Sequence, residues 1–181
     1  MQRIIQINLL IFLFLGLLAC GGHQNYRDYD QLSLPTHLEP VDAQKLQLEK
    51  RLTLNRVQVI QMGQHVLIDI PSALVFNQQS PKINVNAYDL LNQVACYIKT
   101  YRKVEINVNV HDFCIDKQQR MLALTRSQAS AVANYLTSQG IDSRLVIIRG
   151  LGNDKPIMKN ECNQNVLANS RIEITFKDEI I

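Results

Sequence analysis

One stretch, Val104 to Arg149, leaves few folds open to this chain. Val104, Ile106, Val108 and Val110 alternate strictly with Glu105, Asn107 and Asn109, the period-two pattern of a strand buried on one face. Lys117 to Gln139 then carries Leu122, Thr125, Ala129, Val132 and Leu136 in steps of three and four, an apolar helical stripe, and Gly140 supplies its stop. Leu145 to Arg149 reads as strand again. A strand–helix–strand connection of this length sets its two strands parallel in one sheet with the helix packed on the sheet.

The flanking sequence extends that sheet. Val57–Met62 and His65–Ile70 read as a hairpin around Gly63-Gln64, ended by Pro71-Ser72. Val85–Tyr101 places Leu90, Leu91, Val94, Ala95 and Ile98 at helical spacing, and Cys96 among them is expected to be a small buried hydrophobe. Asp116 is expected to cap the helix starting at Lys117. Gly150-Leu151-Gly152 is read as a turn requiring positive φ that opens a loop through Pro156 and Cys162. A short helix is expected over 163–169, and Arg171–Phe176 is the last strand. The fold class is α+β, a mixed sheet with helices on one face. There are no internal repeats.

The N-terminus is of another kind. Met1-Gln2-Arg3 precedes an apolar run from Ile4 to Ala19 interrupted only by Gln6 and Asn8. A basic start, an apolar core and a small residue before the cut make a secretory signal. The run is about 16 residues, short of the roughly 20 that span a bilayer, and Gly21-Gly22 follow it in place of a basic cluster. Leu17-Leu18-Ala19-Cys20 resembles the lipobox of bacterial lipoproteins, which implies a diacylglyceryl thioether on Cys20 as the first mature residue. Gly21 stands where such proteins carry the Asp that retains them at the inner membrane, which implies the periplasmic face of the outer membrane. The expected organisation is a signal over 1–19, a lipidated Cys20 with a flexible linker to residue 56 that includes a short helix near 41–51, and a folded domain over 57–181. The linker segment 21–40, extended, reaches at most about 65 Å.

Composition narrows the function. Loss of 1–19 removes Arg3 and leaves 18 basic against 16 acidic residues, a charge of +2, too balanced for a nucleic-acid footprint. There is no Trp, so a stacking platform for sugars or bases is not expected. Ser127 and Ser130 have no His at a useful position, and Asp112 with Asp116 on a loop makes a poor acid–base pair. Gly150-Leu151-Gly152 lacks the third glycine and the helix of a nucleotide loop. His111, Asp112, Cys114 and Cys162 have loose spacing for zinc, and a periplasmic cysteine pair is oxidised more readily than metallated. The expectation is a non-enzymatic protein with no cofactor, no metal and no nucleic acid partner.

Several motifs then align with one family. Leu124-Thr125, Ala129, Val132 and Tyr135-Leu136 followed by Gly140-Ile141 match its long helix. Arg144, Gly150-Leu151-Gly152 and Pro156 match the next block, Asn169-Ser170-Arg171-Ile172-Glu173-Ile174 the last, and Phe76 with Leu90-Leu91 the first. Over about residues 57–177 the chain resembles the OmpA-like, peptidoglycan-associated domain. That resemblance implies a four-stranded type of mixed sheet and non-covalent binding of the diaminopimelate of the cell-wall peptide. In the family an Asp after the central strand faces the ligand's ammonium, and an Arg on the long helix forks onto its carboxylate. Here the Arg position is Gln128, and the Asn seven residues earlier is Met121. Asp112-Phe113 stands where the family has Thr-Asp, and His111 is retained. An unpaired ligand carboxylate would be costly to desolvate. The resemblance therefore implies a reworked site, with His111, Asp112, Phe113, Thr125, Gln128, Arg144 and Arg171 as its candidate residues. It also sets Cys114 and Cys162 on loops bordering that site. A bond between them would close a loop of about 48 residues and contribute roughly 4 kcal/mol. Two free thiols, or Cys96 pairing with either, are the alternatives. The implied partners are outer-membrane lipid through Cys20, peptidoglycan in weak contact, and other proteins of an envelope secretion complex, the Dot/Icm type IVB class being expected from size and architecture. An ordinary tether between outer membrane and cell wall is the alternative.

Overall fold

The computed structural model describes residues 40–77, 79–113, 117–158 and 169–179, within a compact unit that runs Leu38–Ile181. Cys20, Cys114, Asp116, Cys162 and the segment 159–168 lie outside the described residues, and with them the lipidation, helix-cap and disulfide expectations and most of the 163–169 helix.

Among the described residues the elements are α1 (Pro40–Leu54), β1 (Gln58–Met62), β2 (His65–Pro71), a single helical turn α2 (Ser72–Val75), α3 (Tyr88–Lys99), β3 (Lys103–His111), α4 (Gln118–Ser138), β4 (Val146–Gly152) and β5 (Arg171–Asp178). One sheet takes the order β1-β2-β5-β3-β4. The β3–α4–β4 crossover is parallel as expected, and every other pairing is antiparallel. Four strands, β2-β5-β3-β4, make the mixed sheet that the resemblance implied. The β1–β2 hairpin adds a fifth at the edge, turning through Gly63 at φ +61°.

Period-two alternation explains how the core sits. Val66, Ile68 and Ile70 on β2, Ile106, Val108 and Val110 on β3, and Ile172, Ile174 and Phe176 on β5 are all buried on one face. There they join Leu91, Val94 and Ile98 of α3 and Ala129, Val132 and Leu136 of α4 in one cluster. The other face of the same strands carries Asp69, Asn107, Asn109, His111, Arg171, Glu173 and Thr175 in register.

Several details differ from the sequence reading. The segment assigned to the linker contains a 15-residue helix, α1, started by Pro40, whose fixed φ suits a first helical position. Lys45, Leu48, Glu49 and Leu52 share its inner side. Leu52 is fully buried, Leu48 packs on the core, and Lys45 Nζ stands 4.0 Å from the ring centroid of Tyr101, so Lys45 is not simply solvated. Cys96 is exposed: on α3 it follows the outer line of Asp89, Asn92 and Lys99, three and four residues apart. On α4 the stripe runs through Met121, Thr125, Gln128, Ala129, Val132 and Leu136, and Leu122 is 37% exposed.

β4 continues through Gly150 to Gly152, beyond the expected end at Arg149. Gly150 lies in the strand, and α4 passes so close that a Cβ there would stand 2.2 Å from the Arg126 backbone nitrogen. The turn conformation falls on Gly152, at φ +52°.

Candidate functional site

The candidate residues meet where β3 ends and β5 begins. His111 pairs in register with Arg171, and Asn109 and Asp69 flank Glu173 from the two neighbouring strands. His111 is fully buried and Arg171 is 4% exposed. The His111 Nδ1 lies 2.8 Å from the Asp154 carbonyl; a carbonyl only accepts, so this nitrogen carries the proton. Its Nε2 lies 3.4 Å from Glu173 Oε2. Arg171 donates to Glu173 Oε1 from Nε at 2.8 Å and approaches it with Nη2 at 2.6 Å. It also donates to the carbonyls of Asn169 and Lys155, each at 3.2 Å. Glu173 thus engages both the His111 ring and the Arg171 guanidinium. Its carboxyl is held down to about 2, chiefly by its contact with His111 and further by Arg171, against the opposing effect of burial. Asp69 is pushed the other way, above the ordinary carboxylate value, mainly because it is buried.

The loop after β4 is fastened to this network. Asn169 is fully buried; its Oδ1 accepts from the backbone nitrogens of Ile157 and Met158, and its Nδ2 donates to the Met158 carbonyl. Above it, the Asp112 backbone nitrogen donates to the Gly152 carbonyl at 3.0 Å, and Asp112 Oδ1 accepts from Ser170 Oγ at 3.1 Å. Thr125 reaches the same point from α4: its Oγ1 donates to the Met121 carbonyl at 2.9 Å and accepts from the Gly152 nitrogen at 3.3 Å. Facing pairs slip here, Val110 opposite Gly150 but His111 opposite Gly152, and the Thr125 hydroxyl serves the displaced nitrogen.

Gln128 is 3% exposed. Its Nε2 donates to the Ser80 carbonyl at 3.1 Å, which ties α4 to the loop closed by the Phe76–Ile83 bridge. Phe113 is half-buried beside Asp112. The structure does not bring Arg144 to this group. It lies in the helical turn before β4, at the far end of that strand, roughly 20 Å away at the usual rise per residue. There its side chain is 86% exposed and forked onto Asp142, whose carboxyl it holds down to about 2.

Sequence reasoning placed His111, Asp112, Thr125 and Arg171 in one neighbourhood and missed Glu173, Asp69, Asn169 and Ser170. Glu173 carried a usable signal, because it is two residues from Arg171 in an alternating strand and so shares its face. Among the described residues no group of three or more His, Cys, Asp or Glu side chains is arranged to hold a metal ion, and no helix is long and apolar enough to cross a membrane. Chemically the arrangement is an ionic network beneath a rim formed by Asp112, Ser170, Thr125 and Gln128, and it leaves Asp69 Oδ1, Asn109 Oδ1, His111 Nε2 and Gln128 Oε1 buried without a hydrogen-bond partner.

Comparison with known proteins agrees with this architecture. The chain is 27% identical over 136 residues to the probable lipoprotein YiaD of Escherichia coli K12, an alignment covering 75% of this chain and 62% of that relative. Among solved structures it resembles the cell wall anchor of the T6SS from Pseudomonas aeruginosa, with a TM-score of 0.66 and 20% identity over 73% of this chain and 94% of the other. It also resembles the peptidoglycan-associated lipoprotein of Burkholderia pseudomallei, with a TM-score of 0.50 and 22% identity over 57% and 87% of the two chains. At these identities the likeness is one of fold. The model of the OmpA family matches residues 75–170, more than half of the sequence and the whole stretch from Phe76 to the start of β5: the chain belongs to the OmpA family.

Proposed function

We propose that this protein is a lipoprotein anchored through Cys20 to the outer membrane, whose OmpA domain is a structural component of an envelope complex and touches peptidoglycan only weakly. The observation that carries the reading is Gln128. It stands where the family resemblance puts the arginine for the ligand carboxylate, and its amide is turned to the Ser80 carbonyl. Arg171, the cation that strand register brings to this group, is paired with Glu173. A carboxylate entering this rim finds an amide at Gln128 and the Arg171 guanidinium already paired with Glu173, and burial without a counter-charge is unfavourable. The relatives named as a cell wall anchor of a secretion system and as envelope lipoproteins support a structural, non-enzymatic role. A place in a type IVB secretion complex is the specific form of the proposal; it rests on the small lipoprotein architecture and the altered site.

The test is co-sedimentation of the full-length chain, in detergent, with diaminopimelate-type sacculi, with and without free diaminopimelate. Little competitor-sensitive pelleting is expected from the natural sequence. Gln128→Arg is expected to raise it roughly tenfold or more, the worth of one charge-assisted hydrogen bond. Tight, competitor-sensitive pelleting by the unaltered chain would instead make it an ordinary wall tether.

A further inference from the structure

Among the described residues β1 is an edge of the sheet, and its own sequence carries none of the usual protection of one. Gln58-Val59-Ile60-Gln61-Met62 holds no charge and no proline, whereas natural edges are commonly blunted by one or the other. The opposite edge, β4, carries the exposed Arg149. On β1, Ile60 is 41% and Met62 58% exposed, and both lie on the face away from the helices, since the alternate residues Val59 and Gln61 sit opposite the core positions Ile68 and Val66.

The backbone fixes how the edge can be used. Met62 faces His65 across the two-residue loop Gly63-Gln64. In such a hairpin the closing pair exchanges hydrogen bonds, so Ile60 and Gln58 also turn theirs towards β2. Val59 and Gln61 therefore turn their N–H and C=O groups outward. We propose that two copies of this chain pair antiparallel through β1, about a two-fold axis at Ile60, into one continuous sheet. In that register Val59 of one copy exchanges hydrogen bonds with Gln61 of the other, and each outward-facing group in the pair is satisfied. Gln58 lies opposite Met62, and Ile60 lies opposite its own counterpart. Because Ile60 neighbours Leu67 within one copy, the junction forms an unbroken apolar row of Leu67, Ile60, Ile60 and Leu67. The self-complementary register and the absence of like charges favour a second copy over an unrelated strand. The contact is one short strand per copy, below the roughly 1,200 Å² of a standard stable interface, so pairing depends on concentration.

The register is tested by cross-linking the full-length chain in detergent, in a background with Cys96, Cys114 and Cys162 all replaced by Ser. The dyad pair has its Cα atoms about 4.5 Å apart, within the range of a disulfide. Ile60→Cys is expected to give a disulfide dimer on mild oxidation, and Ile147→Cys, 38% exposed on the other edge, is not. Sedimentation equilibrium supplies the second measurement. The mass of the unaltered chain should rise with concentration towards a dimer. Ile60→Lys should remain monomeric with an unchanged melting temperature, because it sets two like charges opposite each other at an exposed position. Equal cross-linking at both edges, none at Ile60, or a mass that stays monomeric throughout overturns the proposal.

Discussion

Glu173 and Asp69 face each other across β5 and β2, and their carboxyl groups answer pH with opposite signs. Glu173 is held to about 2 by His111 and Arg171. Its contribution to stability is therefore complete above its unfolded value near 4.5 and is lost as pH falls from there through 2. Asp69 is raised above 3.8 by burial, so its ionised form costs stability at neutral pH and costs nothing once pH drops below 3.8. Glu173→Gln should lower the melting temperature at neutral pH, and the deficit should close on acidification. Asp69→Asn should raise it at neutral pH, with the gain vanishing below pH 3.8. Thermal unfolding followed by circular dichroism across that range reads both. A Glu173→Gln deficit that persists unchanged near pH 2 would mean that the network matters through shape rather than charge.

At the scale of elements, the closest approach is α4 on β4. Gly150 permits it, since a Cβ would also stand 2.6 Å from the Arg126 Cα, and both neighbours are backbone that cannot rotate aside. Gly150→Ala should cost about 1–3 kcal/mol in denaturant unfolding, the usual price of overpacking, or more. A loss under 0.5 kcal/mol, in the range of a surface change, would show that the helix can slide. The strands and helices were legible in the sequence because each buries a single face, and burial of one face writes its period into the order of residues. What one period cannot encode was misread. Cys96 sits between buried neighbours in sequence yet on the outer line of α3, and an exposed Leu122 hides the buried Met121 beside it. Gly150 looked like a turn because the demand for a missing side chain came from another element. The ionic network was partly legible: Arg171 and Glu173 share a face by alternation, but His111 and Asp69 join them only through strand register, which no local pattern contains. Arg144 matched a motif and lies at the other end of the sheet, because a motif records order along the chain and not the length of the strand that follows.

For the whole molecule, the question is where the folding unit starts. Composition drew the boundary at Val57, where polar sequence gives way to alternation. The compact unit starts at Leu38, because α1 places one fully buried residue, Leu52, among Val57, Val66 and their neighbours in the core. One leucine in a helix otherwise rich in charged and polar side chains is a weak signal in sequence and a strong one in energy, since removing a buried leucine costs about 2–5 kcal/mol. The Lys45 ammonium over Tyr101 adds roughly 0.5–1 kcal/mol. Two fragments separate the boundaries. One beginning at Leu38 should unfold in a single cooperative transition with the midpoint of the full chain. One beginning at Val57 should lose at least the leucine's share and expose the core beneath α1, shown by a lower denaturant midpoint and by binding of a hydrophobic dye. Equal midpoints for the two would mean that α1 rests on the domain without being part of its cooperative unit. A lower midpoint for the Val57 fragment makes α1 part of the cooperative fold, which then reaches back at least to Pro40 and not only to Val57.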